Sequence, residues 1–193
     1  LFDVGEDAGV LYLAFECVEG SDLAQRLEVD PPLTLREVIT FVRQAAEGLD
    51  YAHRQGVVHR DIKPSNLLIS AASGTIKVSD FGIAKLKDQT SDLTMTGSVV
   101  GSPHYLSPEQ IRGDDLDGRA DQYSLAVIVY EMLTGQLPFT GDSTPTLRHH
   151  HLYTPPLPIT EHNPGLPPAV EAALHRALAK QPAERFRTLT EFS

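Results

Sequence analysis

The residues His59-Arg60-Asp61-Ile62-Lys63-Pro64-Ser65-Asn66 bring an acid, two cations and an amide into one short stretch, directly ahead of the apolar run Leu67-Leu68-Ile69. A carboxylate with a lysine two residues on and an asparagine five residues on, held in one loop, suits a phosphate that travels with a metal. Asp61 can orient an attacking hydroxyl and accept its proton. Lys63 can neutralise charge on a transferring phosphoryl group, and Asn66 can offer its carbonyl oxygen to Mg²⁺. A polar turn between a helix and a strand would also be written in such residues. At about one in twenty per fixed residue, however, H-R-D-x-K-x-x-N arises by chance in about one chain in ten thousand of this length. Asp80-Phe81-Gly82 supplies a second acid at a strand end, with a glycine placed to turn the chain, and Asp80 is a second candidate metal ligand.

The elements that must position these groups are mostly helical. Thr34 with Glu37 three residues later is a capping-box start, and Leu35, Val38, Val42, Ala45, Ala46, Leu49 and Ala52 then recur at helical spacing. That helix should end near Gly56, just ahead of the candidate loop. Residues 67–69 and 75–78 read as two short strands, too short for a sheet of consequence. Residues 1–4 and 10–18 read as a β-hairpin with turn chemistry over residues 5–9. A short helix is predicted over 21–27.

Residues 88–107 show no periodicity and many hydroxyls, and a loop that long inside a domain is usually functional. Residues 120–134 are apolar nearly all round, which predicts a helix buried mid-domain and ended by Gly135. Residues 141–152 read as a weakly signalled helix, 154–168 as a proline-rich linker and 169–179 as an amphipathic helix. The last residues, 188–193, read as a helix with no room to finish. Since the first residue is Leu1 rather than Met, the chain is expected to be a fragment.

The totals narrow the class. The 193 residues suffice for one domain, and 41% hydrophobic with 22% charged residues argues against disorder. A formal charge of -10 with no basic run disfavours a nucleic-acid partner. The lone Cys17 excludes an internal disulfide and fits a reducing compartment. No apolar run is long enough to span a bilayer. His149-His150-His151 makes a poor metal site, because consecutive helical residues point in different directions.

The order HRDIKPSN, DFG, Ser107-Pro108-Glu109 and Asp121-Gln122-Tyr123-Ser124 resembles the large lobe of a eukaryotic-like (Hanks-type) protein kinase, and the similarity covers essentially the whole chain. Lys63-Pro64 resembles the serine/threonine branch, and residues 93–97 with 107–113 resemble the bacterial membrane-anchored members. The resemblance implies an α+β, protein-kinase-like fold. Residues 1–18 would be the end of the small lobe and the hinge, and residues 19–193 a large lobe truncated at its end.

It also implies roles. Asp61 would be the catalytic base, Lys63 the γ-phosphate contact, and Asn66 and Asp80 the Mg²⁺ ligands, with Mn²⁺ as a substitute. For ATP, Phe15 falls at the gatekeeper, Glu16 and Val18 at the hinge, where backbone groups would bind adenine, and Leu68 beneath the adenine ring. Cys17 should only pack there. Arg60, Thr94 and Thr96 resemble a phosphate-triggered ordering switch, the two threonines being phosphorylated by another copy of the kinase. Glu109 and Arg185 match a buried ion pair, so Glu109 is not a second catalytic acid. Asp121 matches a residue that hydrogen-bonds the catalytic-loop backbone.

Ser102 stands where the family has threonine, and Ala126 replaces a common glycine. No glycine-rich loop, phosphate-gripping strand lysine or regulatory-helix glutamate occurs in these residues. All three would lie upstream of Leu1, so the chain alone should bind Mg-ATP weakly and turn over little. The implied activity is transfer of the ATP γ-phosphoryl group to hydroxyls of protein substrates, in the cytoplasm, within a parent protein anchored to the membrane. A non-catalytic pseudokinase or scaffold lobe is the alternative, and a small-molecule phosphotransferase a weaker one.

Overall fold

The computed structural model describes residues 2–7, 9–29, 33–81 and 103–193. Helix α2 (Leu35–Arg54) starts where the capping box places it: Glu37 N–H donates to Thr34 Oγ1 (3.3 Å), and Thr34 N–H returns to Glu37 Oε2 (2.8 Å). Its stripe of Val38, Val42, Ala45, Ala46 and Leu49 is buried against α4 (Gly118–Thr134). All of residues 120–133 but Glu131 are buried in α4, as a helix apolar on every side requires. Gly135 ends it in the left-handed conformation (φ +68°) that a residue with a Cβ adopts at a cost.

Around this pair sit α1 (Leu23–Leu27), capped by Asp22, then α3 (Pro108–Arg112), α5 (Thr144–Tyr153), α6 (Ile159–His162), α7 (Pro168–Ala177) and α8 (Leu189–Phe192). Asp50 of α2 caps α8 across the chain, its Oδ1 accepting from Leu189 N–H (3.0 Å) and its Oδ2 from Thr190 N–H (2.8 Å). Burial would raise the Asp50 pKa, but the Thr190 hydroxyl and these two amides outweigh it and hold the carboxyl below its ordinary range. No helix among the described residues is long and apolar enough to cross a membrane.

Three expectations need correction. First, residues 5–9 are not all turn: β1 (Asp3–Asp7) pairs antiparallel with β2 (Val10–Ala14), and Gly5 lies opposite Tyr12. A Cβ on Gly5 would stand 2.5 Å from the Tyr12 ring, so the glycine is there to let the ring lie across the strand. Second, residues 67–78 do belong to a sheet. A third strand, β3 (Gly20–Asp22), pairs with β4 (Leu67–Ser70), which pairs with β5 (Ile76–Val78), all antiparallel. Gly20 joins it at φ +153° because a Cβ would strike the Ile69 carbonyl. Third, residues 154–168 are no mere linker. They carry α6, whose Ile159 is buried in the core with Leu166.

His151 of α5 is wholly buried, packed on Phe139 (ring centroids 4.9 Å) and bonded through Nδ1 to the Tyr123 hydroxyl (3.1 Å). Burial first, then the nearby Lys180 charge, push its pKa down to about 3. Below the ordinary histidine value the unfolded chain takes up a proton that the folded protein refuses, so stability falls as pH drops from 6.5 towards 3. Chemical denaturation of His151→Gln across that window should give a shallower loss of stability than wild type; parallel curves would contradict this.

Candidate active site

The candidate loop runs from the end of α2 to β4, and its backbone is held by a buried acid. Asp121, on the first turn of α4 and 1% exposed, accepts His59 N–H through Oδ2 (2.8 Å) and Arg60 N–H through Oδ1 (2.8 Å). His53 of α2 donates Nε2–H to the same Oδ2 (2.7 Å). Arg60, half-buried, sits at φ +68°, a conformation uncommon outside glycine.

Within the loop, Lys63 Nζ donates to Asp61 Oδ2 (3.0 Å). Asn66, 4% exposed, donates Nδ2–H to the Asp61 carbonyl (2.8 Å), with a longer approach to Asp61 Oδ2 (3.4 Å). Because the amide nitrogen is engaged there, Asn66 Oδ1 is left as the oxygen available to a cation.

Asp80 reaches the loop through its neighbour Ser79. Ser79 N–H donates to the Asn66 carbonyl (2.9 Å), and Ser79 Oγ approaches Asp80 Oδ2 (3.5 Å). His59 Nε2–H donates to the Ser79 carbonyl (2.7 Å), while Nδ1 accepts from Asp61 N–H (3.3 Å), which fixes the tautomer. The buried His59 ring packs on Phe81 at 4.7 Å. Asp80 is exposed and, at φ +55°, is the second non-glycine residue with a left-handed backbone among the described residues. Both such residues therefore lie at the one cluster of candidate chemistry, where strain is commonly stored.

The structure thus brings Asp61, Lys63, Asn66, Asp80 and Asp121 into one bonded cluster. Asn66 and Asp80 each present oxygen, the donor type that a hard divalent ion takes. Phe15, Glu16 and Val18 lie on the segment between β2 and β3. Phe15 is 52% exposed, Val18 is half-buried, and the Glu16 side chain is committed to an ion pair with Lys77. Leu68, half-buried on β4, lies opposite Lys77 and Asp22. Cys17, expected to pack, is exposed instead, because the segment carrying it runs along the surface. Thr94, Thr96, Gly82 and Ser102 lie outside the described residues.

Glu109 of α3 and Arg185 form a buried bidentate pair, Nη1 to Oε1 at 2.6 Å and Nη2 to Oε2 at 2.8 Å. Arg185 also donates to the carbonyls of Ala179 (2.8 Å) and Arg119 (2.7 Å). Glu109 is therefore fully engaged away from the Asp61 cluster. Ala126 is completely buried in α4. The three histidines diverge: His151 is buried, His150 donates to the Thr140 carbonyl (2.6 Å) and His149 packs on Tyr153.

A family model described as "Protein kinase domain" matches residues 1–191. The chain belongs to the protein kinase domain family. Members of that family use ATP and a divalent metal ion. The chain is 40% identical over 195 residues to the serine/threonine-protein kinase PknB of Mycobacterium leprae, covering 99% of this chain and 31% of that protein. It is 41% identical over 189 residues to the probable serine/threonine-protein kinase PknB of Lactococcus lactis, covering 98% and 30%. It is 44% identical over 192 residues to the serine/threonine-protein kinase pkn3 of Myxococcus xanthus, covering 95% and 35%. The chain spans about a third of the length of the curated relatives it matches. The α+β architecture, helical with small antiparallel sheets, agrees with the family.

Sequence reasoning missed three residues bonded into this cluster. His53 carries no motif, and only its place one turn before the loop could have marked it. Ser79 acts largely through its backbone, which no side-chain pattern announces. Gln110 completes a legible capping box, Ser107-x-x-Gln110, but its second bond is visible only in the fold.

Stability should expose the Glu109–Arg185 tie. Arg185→Met should destabilise by about 3–5 kcal/mol because it strands a buried carboxylate. Adding Glu109→Met should recover part of that loss in urea denaturation, and simple additivity of the two single losses would count against the pair.

Proposed function

We propose that this chain is the catalytic part of a serine/threonine protein kinase that transfers the γ-phosphoryl group of ATP to protein hydroxyls. The observation that carries this reading is the Asp61 carboxylate, bonded to Lys63 Nζ and adjoining Asn66, in a loop hung on Asp121 with Asp80 one residue beyond its Ser79 tie. The printed names of the relatives support the hydroxyl class.

In this reading residues 1–18 are the end of the small lobe and the hinge, and residues 19–193 are the large lobe. Backbone groups of Glu16 and Val18 hold adenine, with Phe15 and Leu68 as apolar neighbours. Asn66 Oδ1 and Asp80 hold Mg²⁺, for which Mn²⁺ substitutes, both preferring oxygen donors. A bound ion supplies charge neutralisation and orientation of the phosphates. Asp61 aligns the substrate hydroxyl and accepts its proton as the new O–P bond forms and the bond to the ADP leaving group breaks. Lys63 spans the developing charge. The domain works in the cytoplasm, within a parent protein anchored to the membrane.

In the full-length protein, replacing Asp61 by Asn should lower kcat about 10²–10⁴-fold in a protein-phosphorylation assay, with KM for ATP little changed. Turnover by wild type no better than by Asp61→Asn would favour a non-catalytic scaffold lobe.

Regulation is proposed at Thr94 and Thr96, phosphorylated by a second copy of the protein, with Arg60 beside the catalytic acid as the cationic partner. Intact-mass measurement of the active full-length protein should find added phosphate on these threonines, and active protein with neither modified would refute it.

A further inference from the structure

The Arg60–Asp61 peptide is the plane from which the Asp61 side chain departs, and it is fixed at both edges. Its N–H, from Asp61, donates to His59 Nδ1 (3.3 Å). Its carbonyl, from Arg60, accepts Gln110 Nε2–H at 2.7 Å. The amide on the other side of Arg60 is held by Asp121. A left-handed residue returns to commoner backbone angles unless its surroundings over-determine it, and here they do.

Gln110 is not a free surface amide. Its Oε1 accepts Ser107 N–H (3.0 Å) and its backbone N–H donates to Ser107 Oγ (3.3 Å), so residue 110 is built into the first turn of α3. The adjacent Glu109 is locked to Arg185. One planar amide thus spends its oxygen on the helix cap and its nitrogen on the loop. A residue that only capped α3 would need the oxygen alone.

We propose that Gln110 is a positioning residue for Asp61, transmitting the placement of the α3 N-terminus to the Arg60–Asp61 peptide; this rests on the kinase reading. Two substitutions separate the two jobs of the amide. Gln110→Glu keeps the oxygen for Ser107 N–H but sets a second carboxylate oxygen against the Arg60 carbonyl. Gln110→Lys loses the oxygen that accepts Ser107 N–H and keeps a donor. Gln110→Met loses both without repulsion.

In the full-length protein kcat should rank wild type, then Gln110→Lys, then Gln110→Glu. The last should fall about 10- to 100-fold with KM for ATP little moved, the size expected when a reacting group is displaced by about 1 Å. If Gln110→Glu does not fold, Gln110→Met takes its place below Gln110→Lys. Amide hydrogen exchange at Asp61 gives the same order without turnover and should be faster in Gln110→Glu than in Gln110→Lys. A lysine variant as impaired as the glutamate or methionine variant, or equal exchange at Asp61, would overturn the proposal. If wild type transfers no phosphate while the exchange order holds, the kinase reading falls and the clamp stands.

Discussion

A single carboxylate buried in an apolar helix sets the shape of the loop. Asp121 lies among Ala120, Tyr123 and Leu125, where an unpaired charge would cost several kcal/mol. Two backbone amides and one imidazole meet it. The dependence is mutual: the loop amides would lack partners without the acid, and the buried acid would lack hydrogen bonds without them. The left-handed Arg60 persists because letting it relax would break bonds to a group that has no water to fall back on. The core around α4 therefore serves the loop, since only a fully packed α4 keeps water from Asp121.

Other buried acids work the same way over longer spans. Asp50 ties α2 to α8, and Glu109 ties α3 to the segment at Arg185. Both fix register by direction: Asp50 accepts two amides of α8, and Glu109 meets the Arg185 fork with both oxygens. Arg185 sits over the Tyr123 ring at 4.9 Å, and Lys180 lies 3.9 Å from the Phe139 centroid. Burial, then the Arg185 charge, pull the Lys180 pKa down to about 7. Positive charge is thus crowded at this junction, and the aromatic faces and the Glu109 carboxylate offset it.

What could be read from sequence follows physical locality. The capping box at Thr34, the stripe along α2, the all-round apolar α4 and its terminal Gly135 are signals within a turn or two, and each was legible. So was the Asp61, Lys63, Asn66 spacing, because one loop carries all three. Strand β3 was not: residues 21–27 read as one short helix, whereas the missing Cβ of Gly20 is what admits the Ile69 carbonyl and lets 20–22 pair as a strand. Gly5 misled likewise, since a partner strand supplied the aromatic ring that covers it. Ile159 was lost among prolines that end helices but do not forbid one turn of one. His53, Ser79 and the second bond of Gln110 depend on partners far along the chain, and no local pattern encodes a contact of that kind.

Asp61 and the segment carrying Asp80 are linked through one ring. His59 is completely buried, and its atoms serve three masters. Its backbone N–H goes to Asp121, Nδ1 takes the Asp61 amide, and Nε2–H goes to the Ser79 carbonyl beside Asp80. Neither acid sits in a regular element, and each adjoins or occupies a left-handed position, so helix or strand geometry does not link them. A rigid imidazole with one tautomer does. Phe81 packs on the same ring, so the residue after Asp80 is held by the group that orients Asp61. The 79–81 segment and the peptide that carries Asp61 thus bear on the same buried ring.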